Sequence, residues 1–152
     1  LRLSPDVYGG RSLSAIGVAC HEAGHALQHA QGYVPLKMRS TLVPATSLTS
    51  KAAMPLLMAG LFLNVKPLLL VGAALFAVAV VFAIVTLPVE WDASARAKKL
   101  MVSAGIVDQG EAQHAGSVLN AAFLTYLASA LTAIITLLYY LMRAGVLGGS
   151  RD

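Results

Sequence analysis

Residues 68–87, LLLVGAALFAVAVVFAIVTL, form a run of 20 residues that contains no charged side chain. A helix rises about 1.5 Å per residue, so such a run covers about 30 Å, the thickness of the hydrocarbon core of a bilayer. Residues 118–142 form a second run without charge, with Tyr139 and Tyr140 near its end and Arg143 directly after it. Tyrosine and arginine are typical of the membrane interface. Both runs therefore predict transmembrane helices.

A third span is predicted at residues 43–64, where the apolar part is short and the remainder includes Lys51. Of the 152 residues, 57% are hydrophobic and 12% are charged, whereas charged residues make up about 25% of a typical soluble domain. We therefore expect one mainly α-helical, polytopic membrane domain over residues 1–152. The alternating residues 1–8 predict a short N-terminal strand. Because the chain starts with Leu1, we expect a fragment of a longer protein.

The charge pattern bears on the partners of the chain. The formal net charge is +4, but the basic residues are scattered and are not interleaved with aromatic residues. This pattern excludes nucleic acid as the expected partner and favours an anionic lipid bilayer. The single cysteine, Cys20, cannot form an internal disulfide, and we expect it to be a buried small apolar residue.

The chemistry of the chain is carried by the motif His21-Glu22-Ala23-Gly24-His25. Helix positions four apart lie on one face, so the two imidazoles can bind one metal ion. Glu22 lies about 100° around the helix, where it can act as a general base on water. We predict this metal helix at residues 12–31, with Ser12 or Ser14 as the N-cap and Gly32 at the stop.

Catalytic zinc usually takes three protein ligands and leaves one position open. Glu90 is the favoured third ligand, because it lies where the span 68–87 emerges into polar sequence. Two spans between His25 and Glu90 would return the chain to one side of the membrane, so the site requires a helical hairpin that starts with residues 43–64. Asp92 is the alternative ligand, or it orients a histidine.

The other two histidines, His29 and His114, are weaker candidates for ligands. His29 follows His21 by eight residues, about 12 Å along a helix, so the two cannot share one ion. His114 has no supporting local pattern.

The loops predict the orientation of the site. The predicted metal side carries more basic residues (Arg2, Arg11, Lys37, Arg39, Arg96, Lys98 and Lys99) than the other side (Lys66, Arg143 and Arg151). By the positive-inside rule, the metal site faces the cytoplasm of a bacterial inner membrane.

Three segments carry a family resemblance: residues 2–40, RLSPDVYGGRSLSAIGVACHEAGHALQHAQGYVPLKMRS, the run LPVEWDASARAKKL from residue 87, and LNAAFLTYLASAL from residue 119. They resemble the YugP-type neutral zinc metallopeptidases of bacterial membranes and, more distantly, the gluzincins HtpX and CAAX prenyl protease. The resemblance implies a zinc-binding Glu90 and an edge strand at residues 1–4 that holds an extended substrate. It also implies an N-terminal membrane anchor ahead of Leu1, so we expect this fragment to lack that anchor. Those gluzincins carry Asp four residues after this Glu, where this chain has Ser94, with Asp92 nearby.

Together these observations predict a zinc endopeptidase that cleaves peptides or membrane proteins at the cytoplasmic face, with Glu22 as the catalytic base. Tyr126, His114 and Arg96 are the candidates for stabilising the oxyanion. An oligomer or an accessory membrane partner is compatible with the sequence. The alternative is a membrane scaffold or adaptor with a structural zinc site, which would be closed by four protein ligands.

Overall fold

A computed structural model describes residues 1–147, and the prediction of a mainly α-helical chain is confirmed. Five helices follow one another in this range: α1 (Pro5–Tyr8), α2 (Leu13–Ala30), α3 (Val34–Phe62), α4 (Lys66–Ser103) and α5 (Gln109–Arg143). The chain forms two compact units. Within residues 1–147, the first unit contains residues 1–37 and 86–127, and the second contains residues 38–85 and 128–147.

The predicted N-terminal strand is wrong, because residues 1–147 contain no strand and residues 5–8 form α1. Ser4 caps this helix by accepting a hydrogen bond from the backbone N–H of Val7 at 3.4 Å. Pro5 occupies the first helical position, where its fixed φ favours a helix. The alternation of Leu1 to Ser4 has the period of a strand, but the Ser-Pro-Asp signal for a helix start prevails over it.

Helix α2, Leu13–Ala30, carries the motif for which a metal helix at residues 12–31 is predicted. The Ser12 hydroxyl accepts a hydrogen bond from the N–H of Ala15 at 3.1 Å and is the N-cap. Gly32 has a φ of +64°, a left-handed conformation that glycine adopts without strain. The N–H of Tyr33 then donates to the carbonyl of Gln28 at 2.9 Å, which closes the end of the helix.

Two helices in the described part of the chain, α4 and α5, are long and apolar enough to cross a membrane. They contain the predicted spans 68–87 and 118–142, and α4 continues through Pro88 to Ser103. Residues 43–62 are helical within α3, but α3 is not among the helices that meet this criterion. The third span is therefore not confirmed and stays a prediction.

The first unit contains an apolar core of small and flexible side chains from α2, α4, α5 and the turn between α4 and α5. Its buried members are Cys20, Ala97, Met101, Val107, Ala115 and Leu119. Cys20 is 5% exposed, so it is the buried apolar residue expected, and its burial raises the pKa of the thiol. At Gly24, an added Cβ would lie 2.5 Å from the carbonyl oxygen of Ala93, so the backbones of α2 and α4 are in direct contact.

The second unit contains an apolar core of Leu57, Leu69, Ala73, Tyr140 and Ala144. Here an added Cβ at Gly60 would lie 2.6 Å from the backbone nitrogen of Leu69. Asn64, with a φ of +52°, lies in the turn between α3 and α4. These contacts join α3 and α4 in a hairpin, and its crossing of a membrane, which the metal-site prediction requires, stays a prediction.

Candidate metal centre

Three metal-ligating side chains of the first unit converge on one point. The Oε2 atom of Glu90 lies 3.1 Å from Nε2 of His21 and 3.6 Å from Nε2 of His25. One ligand atom from each of the three residues lies within 4.8 Å of the other two. The imidazole rings of His21 and His25 meet edge to face, with centroids 4.7 Å apart. Helices α2 and α4 thus bring together the ligand set predicted from the sequence.

The donor set and the spacing fit a zinc ion. Ligands placed about 2.1 Å from a tetrahedral zinc are about 3.3–3.4 Å apart, close to both measured Nε2–Oε2 distances. Two imidazole nitrogens and one carboxylate oxygen are also a known set for catalytic zinc. The Glu90 side chain is 2% exposed, whereas those of His21 and His25 are 17% and 21% exposed. The ligands are therefore held by the protein on one side while the histidines remain partly open to solvent.

The electrostatics of the site favour a cation. The hydrogen bond that His25 donates to Glu90 raises the pKa of His25 above its ordinary value, against the lowering effect of burial. The charge of Glu22 also raises the pKa of His25, although less strongly. Glu22 is half-buried on α2. Two carboxylates beside two imidazoles form a negative site that attracts a divalent ion.

The nitrogen of each imidazole that faces away from Glu90 has its own partner. Nδ1 of His21 lies 3.1 Å from the hydroxyl oxygen of Ser94, and Nδ1 of His25 lies 3.0 Å from Oε1 of Gln28. Metal-binding histidines usually donate their second N–H in this way, which fixes the ring and directs the other nitrogen at the metal. Ser94 is the residue that stands where the gluzincins that the sequence resembles carry Asp.

Asp92 orients other side chains and is not part of the ligand cluster. Its Oδ2 atom accepts a hydrogen bond from Nε2 of Gln28 at 2.9 Å and another from Nε of Arg96. Arg96 in turn donates to Oε1 of Gln31. Of the two roles that the sequence left open for Asp92, the contacts favour orientation over ligation.

The remaining candidates from the sequence do not belong to the cluster of His21, His25 and Glu90. The exposed His114 donates from Nδ1 to the carbonyl of Gly110 in its own helix at 2.9 Å. Tyr126 lies on α5 with 38% of its surface exposed. An oxyanion role for these residues or for Arg96 stays a prediction. His29 is exposed and does not belong to the ligand cluster.

Gln28 is the residue that sequence reasoning missed. It is fully buried, at 0% exposure, and hydrogen-bonds to His25, Asp92 and the carbonyl of Val89. Helix geometry provides a signal for it, because Gln28 follows His25 by three residues and His21 by seven and so lies on the same face of α2. A glutamine on that face is a polar residue placed beside the candidate ligands.

Comparison with known proteins identifies the family. Residues 1–145 match the family described as "putative neutral zinc metallopeptidase". The chain belongs to this family. Membership implies zinc as the cofactor, in agreement with the donor set of His21, His25 and Glu90.

A curated relative from Bacillus subtilis (strain 168), named "Putative membrane protease YugP", is 45% identical over 142 residues. The alignment covers 93% of this chain and 63% of that relative, so the chain spans less than two thirds of the relative's length. No solved structure matches the chain.

Proposed function

We propose that the chain carries the active site of a zinc-dependent membrane endopeptidase. The observation that carries the proposal is the cluster of His21, His25 and Glu90 beside the carboxylate of Glu22. Membership of a zinc metallopeptidase family, two helices suited to a bilayer and a relative named as a membrane protease support it. The proposed substrates are peptides or membrane proteins.

In this mechanism His21, His25 and Glu90 would hold the zinc ion, with the gluzincin order of ligands. Bound zinc supplies Lewis acidity, which polarises a peptide carbonyl and acidifies water. Glu22 removes a proton from the attacking water and delivers it to the leaving amine. Ser94 and Gln28 hold the two imidazoles so that their Nε2 atoms face Glu90.

A membrane scaffold with a structural zinc site is less well supported. A structural site is closed by four protein ligands, as a rule. Among residues 1–147 the candidate cluster offers three, and both histidines are partly exposed. This arrangement favours a catalytic site, in which one coordination position is left for water.

The test is the substitution Glu22→Gln in the protein reconstituted in lipid nanodiscs. We expect 1:1 zinc binding to be retained and cleavage of casein or a membrane-protein substrate to fall at least about 100-fold, the low end for loss of a general base. Glu111→Gln is the matched control, because Glu111 is exposed and only caps α5 through Asp108. Cleavage by Glu22→Gln at the wild-type rate would contradict the assignment.

We further propose that the site faces the cytoplasm, as the distribution of basic residues predicts. In a Cys20→Ala background, the exposed positions His29 and Lys66 can each be changed to cysteine. An impermeant maleimide applied to intact spheroplasts should label Lys66→Cys, whereas His29→Cys should react only after permeabilisation. The reverse labelling pattern would place the site on the outer face.

A further inference from the structure

Gln28 differs from the other groups around the candidate ligands because all its polar groups face a defined partner in a fully buried position. Its Oε1 lies 3.0 Å from Nδ1 of His25, and its Nε2 donates to the carbonyl of Val89 at 2.8 Å and to Asp92 at 2.9 Å. A buried carboxamide without partners would be costly. Gln28 instead uses both N–H donors and its oxygen.

The partners of Gln28 determine which way its carboxamide points. A backbone carbonyl and an ionised carboxylate have no hydrogen to donate, so both must face the NH₂ group. Rotating the amide by 180° would set Oε1 against the oxygens of Val89 and Asp92. The orientation of this amide therefore follows from the chemistry of its neighbours, which is the basis on which amide orientations are assigned.

The oriented amide in turn determines the tautomer of His25. Because an oxygen faces Nδ1 of His25, that nitrogen must carry a hydrogen. Its Nε2 atom is directed toward Glu90, and a metal ion that binds between the two groups takes the place of the hydrogen on Nε2. With the hydrogen of Nδ1 held by Gln28, the neutral ring has its lone pair on Nε2, the form that binds a metal through that atom.

His21 lacks this constraint, although its environment is otherwise similar. Its Nδ1 faces the hydroxyl of Ser94, and a hydroxyl can either donate or accept. Ser94 is compatible with both neutral tautomers of His21. The two candidate ligands therefore differ in how strongly the protein has fixed them before a metal binds.

Asp92 is itself held in place, so the constraint extends beyond Gln28. Arg96 donates from Nε to Asp92 and from Nη1 to Gln31, and its guanidinium lies 5.8 Å from the centre of the Tyr33 ring. The positive charge of Arg96 keeps Asp92 an acceptor and keeps it aligned with Gln28.

We propose that Gln28 is a positioning residue that sets the tautomer of His25 for zinc, with its amide oriented by Val89 and Asp92. The inference rests on the zinc site of the proposed function. It assigns to a neutral amide the task that a carboxylate or backbone carbonyl commonly performs beside a metal-binding histidine.

The main test is Gln28→Met, which keeps the length of the side chain and removes its polar groups. Zinc affinity, measured by competition with a chromophoric chelator, should fall about 10–100-fold, the range typical of groups that orient a metal ligand. The visible spectrum of the Co²⁺-substituted protein should change as well. Gln113→Leu, which alters an exposed glutamine of α5, is the control and should leave both unchanged.

A metal-free measurement tests the tautomer directly. Long-range ¹H–¹⁵N correlation of the histidine rings should show a hydrogen on Nδ1 of His25 in the wild type and a smaller fraction with this hydrogen in Gln28→Met. Unchanged tautomer and unchanged zinc affinity in this variant would overturn the proposal.

A polarity swap provides a second variant that does not depend on Gln28→Met folding. Gln28→Glu combined with Asp92→Asn keeps the net charge, keeps an acceptor oxygen for His25 and reverses the donor–acceptor pair with residue 92, while the carbonyl of Val89 loses its donor. Its zinc affinity should return to within about tenfold of the wild type, inside the range of orienting effects. A loss as large as that of His25→Ala would contradict the role of the hydrogen-bond pattern.

The same measurements separate this inference from the proposed function. If the wild type does not bind zinc in a way that depends on His25, the proposed function fails. If it binds zinc and Gln28 variants bind it equally well, only the role of Gln28 fails.

Discussion

The two units are built from similar helices but are held together by different interactions. In the described residues, the four buried polar or charged side chains, Gln28, Thr86, Glu90 and Ser94, all lie in the first unit. The core of the second unit is formed by Leu57, Leu69, Ala73, Tyr140 and Ala144. Both units nevertheless use a glycine to bring two helix backbones into contact. Close helix packing is thus common to both units, whereas the polar network is associated with the metal centre.

The largest expected effect is that of Glu90→Ala, which would remove a ligand from the first unit and leave the second intact. Zinc affinity should fall by at least about 10³-fold, beyond the 10–100-fold typical of a residue that only orients a ligand. Chelator competition measures this change. Retention of wild-type affinity would show that Glu90 is not the third ligand.

An intermediate effect is expected from a matched pair of glycine substitutions, one in each unit. In Gly24→Ala the new Cβ meets the carbonyl of Ala93, and in Gly60→Ala it meets the backbone of Leu69. Each should lower the free energy of unfolding by about 1–3 kcal/mol, because backbone must move to relieve the overlap. Thermal unfolding in nanodiscs measures the loss.

Zinc affinity should distinguish the two glycine variants. Gly24→Ala should weaken zinc binding because α2, which carries both histidines, must move away from α4, which carries Glu90. Gly60→Ala should leave the affinity unchanged. Equal zinc affinities for the two variants would show that the close contact at Gly24 does not set the ligand spacing.

The smallest effect is expected for Ser94→Ala. The hydroxyl has one described contact with the site, Nδ1 of His21, and it does not select a tautomer. We expect zinc affinity to fall by about tenfold, the low end for an orienting group. A loss larger than that of Gln28→Met in the same chelator assay would reverse the proposed ranking of the two histidines.

The sequence predicts the metal helix and its ligands because both depend on local periodicity. His21 and His25 share a face of α2 by helix geometry, and Ser12 and Gly32 bound the helix by their local conformations. The selection of Glu90 depended on a topological argument, the return of the chain through a helical hairpin. That argument is compatible with the contacts at Gly60 and Asn64.

The parts that the sequence did not predict depend on contacts between distant residues. Gln28 acquires its role from Val89 and Asp92, which are 61 and 64 positions away. The strand predicted at residues 1–8 rested on a short alternation that has no strand partner in residues 1–147. Residues 43–64 are helical as expected, but helix content alone does not decide whether a segment crosses a membrane.

The direct backbone contact at Gly24 has a consequence for the thermal behaviour of the centre. Side chains between helices act as compressible spacers, because they can change rotamer as temperature or bound ligand changes. Here the α2 backbone rests against the carbonyl of Ala93, so the distance between the two backbones that carry the histidines and Glu90 is set at this point by a contact without rotamers. The spacing of the two ligand-bearing helices should therefore expand little on warming. The conformational entropy of bringing these helices together is lost when the chain folds and not when an ion binds.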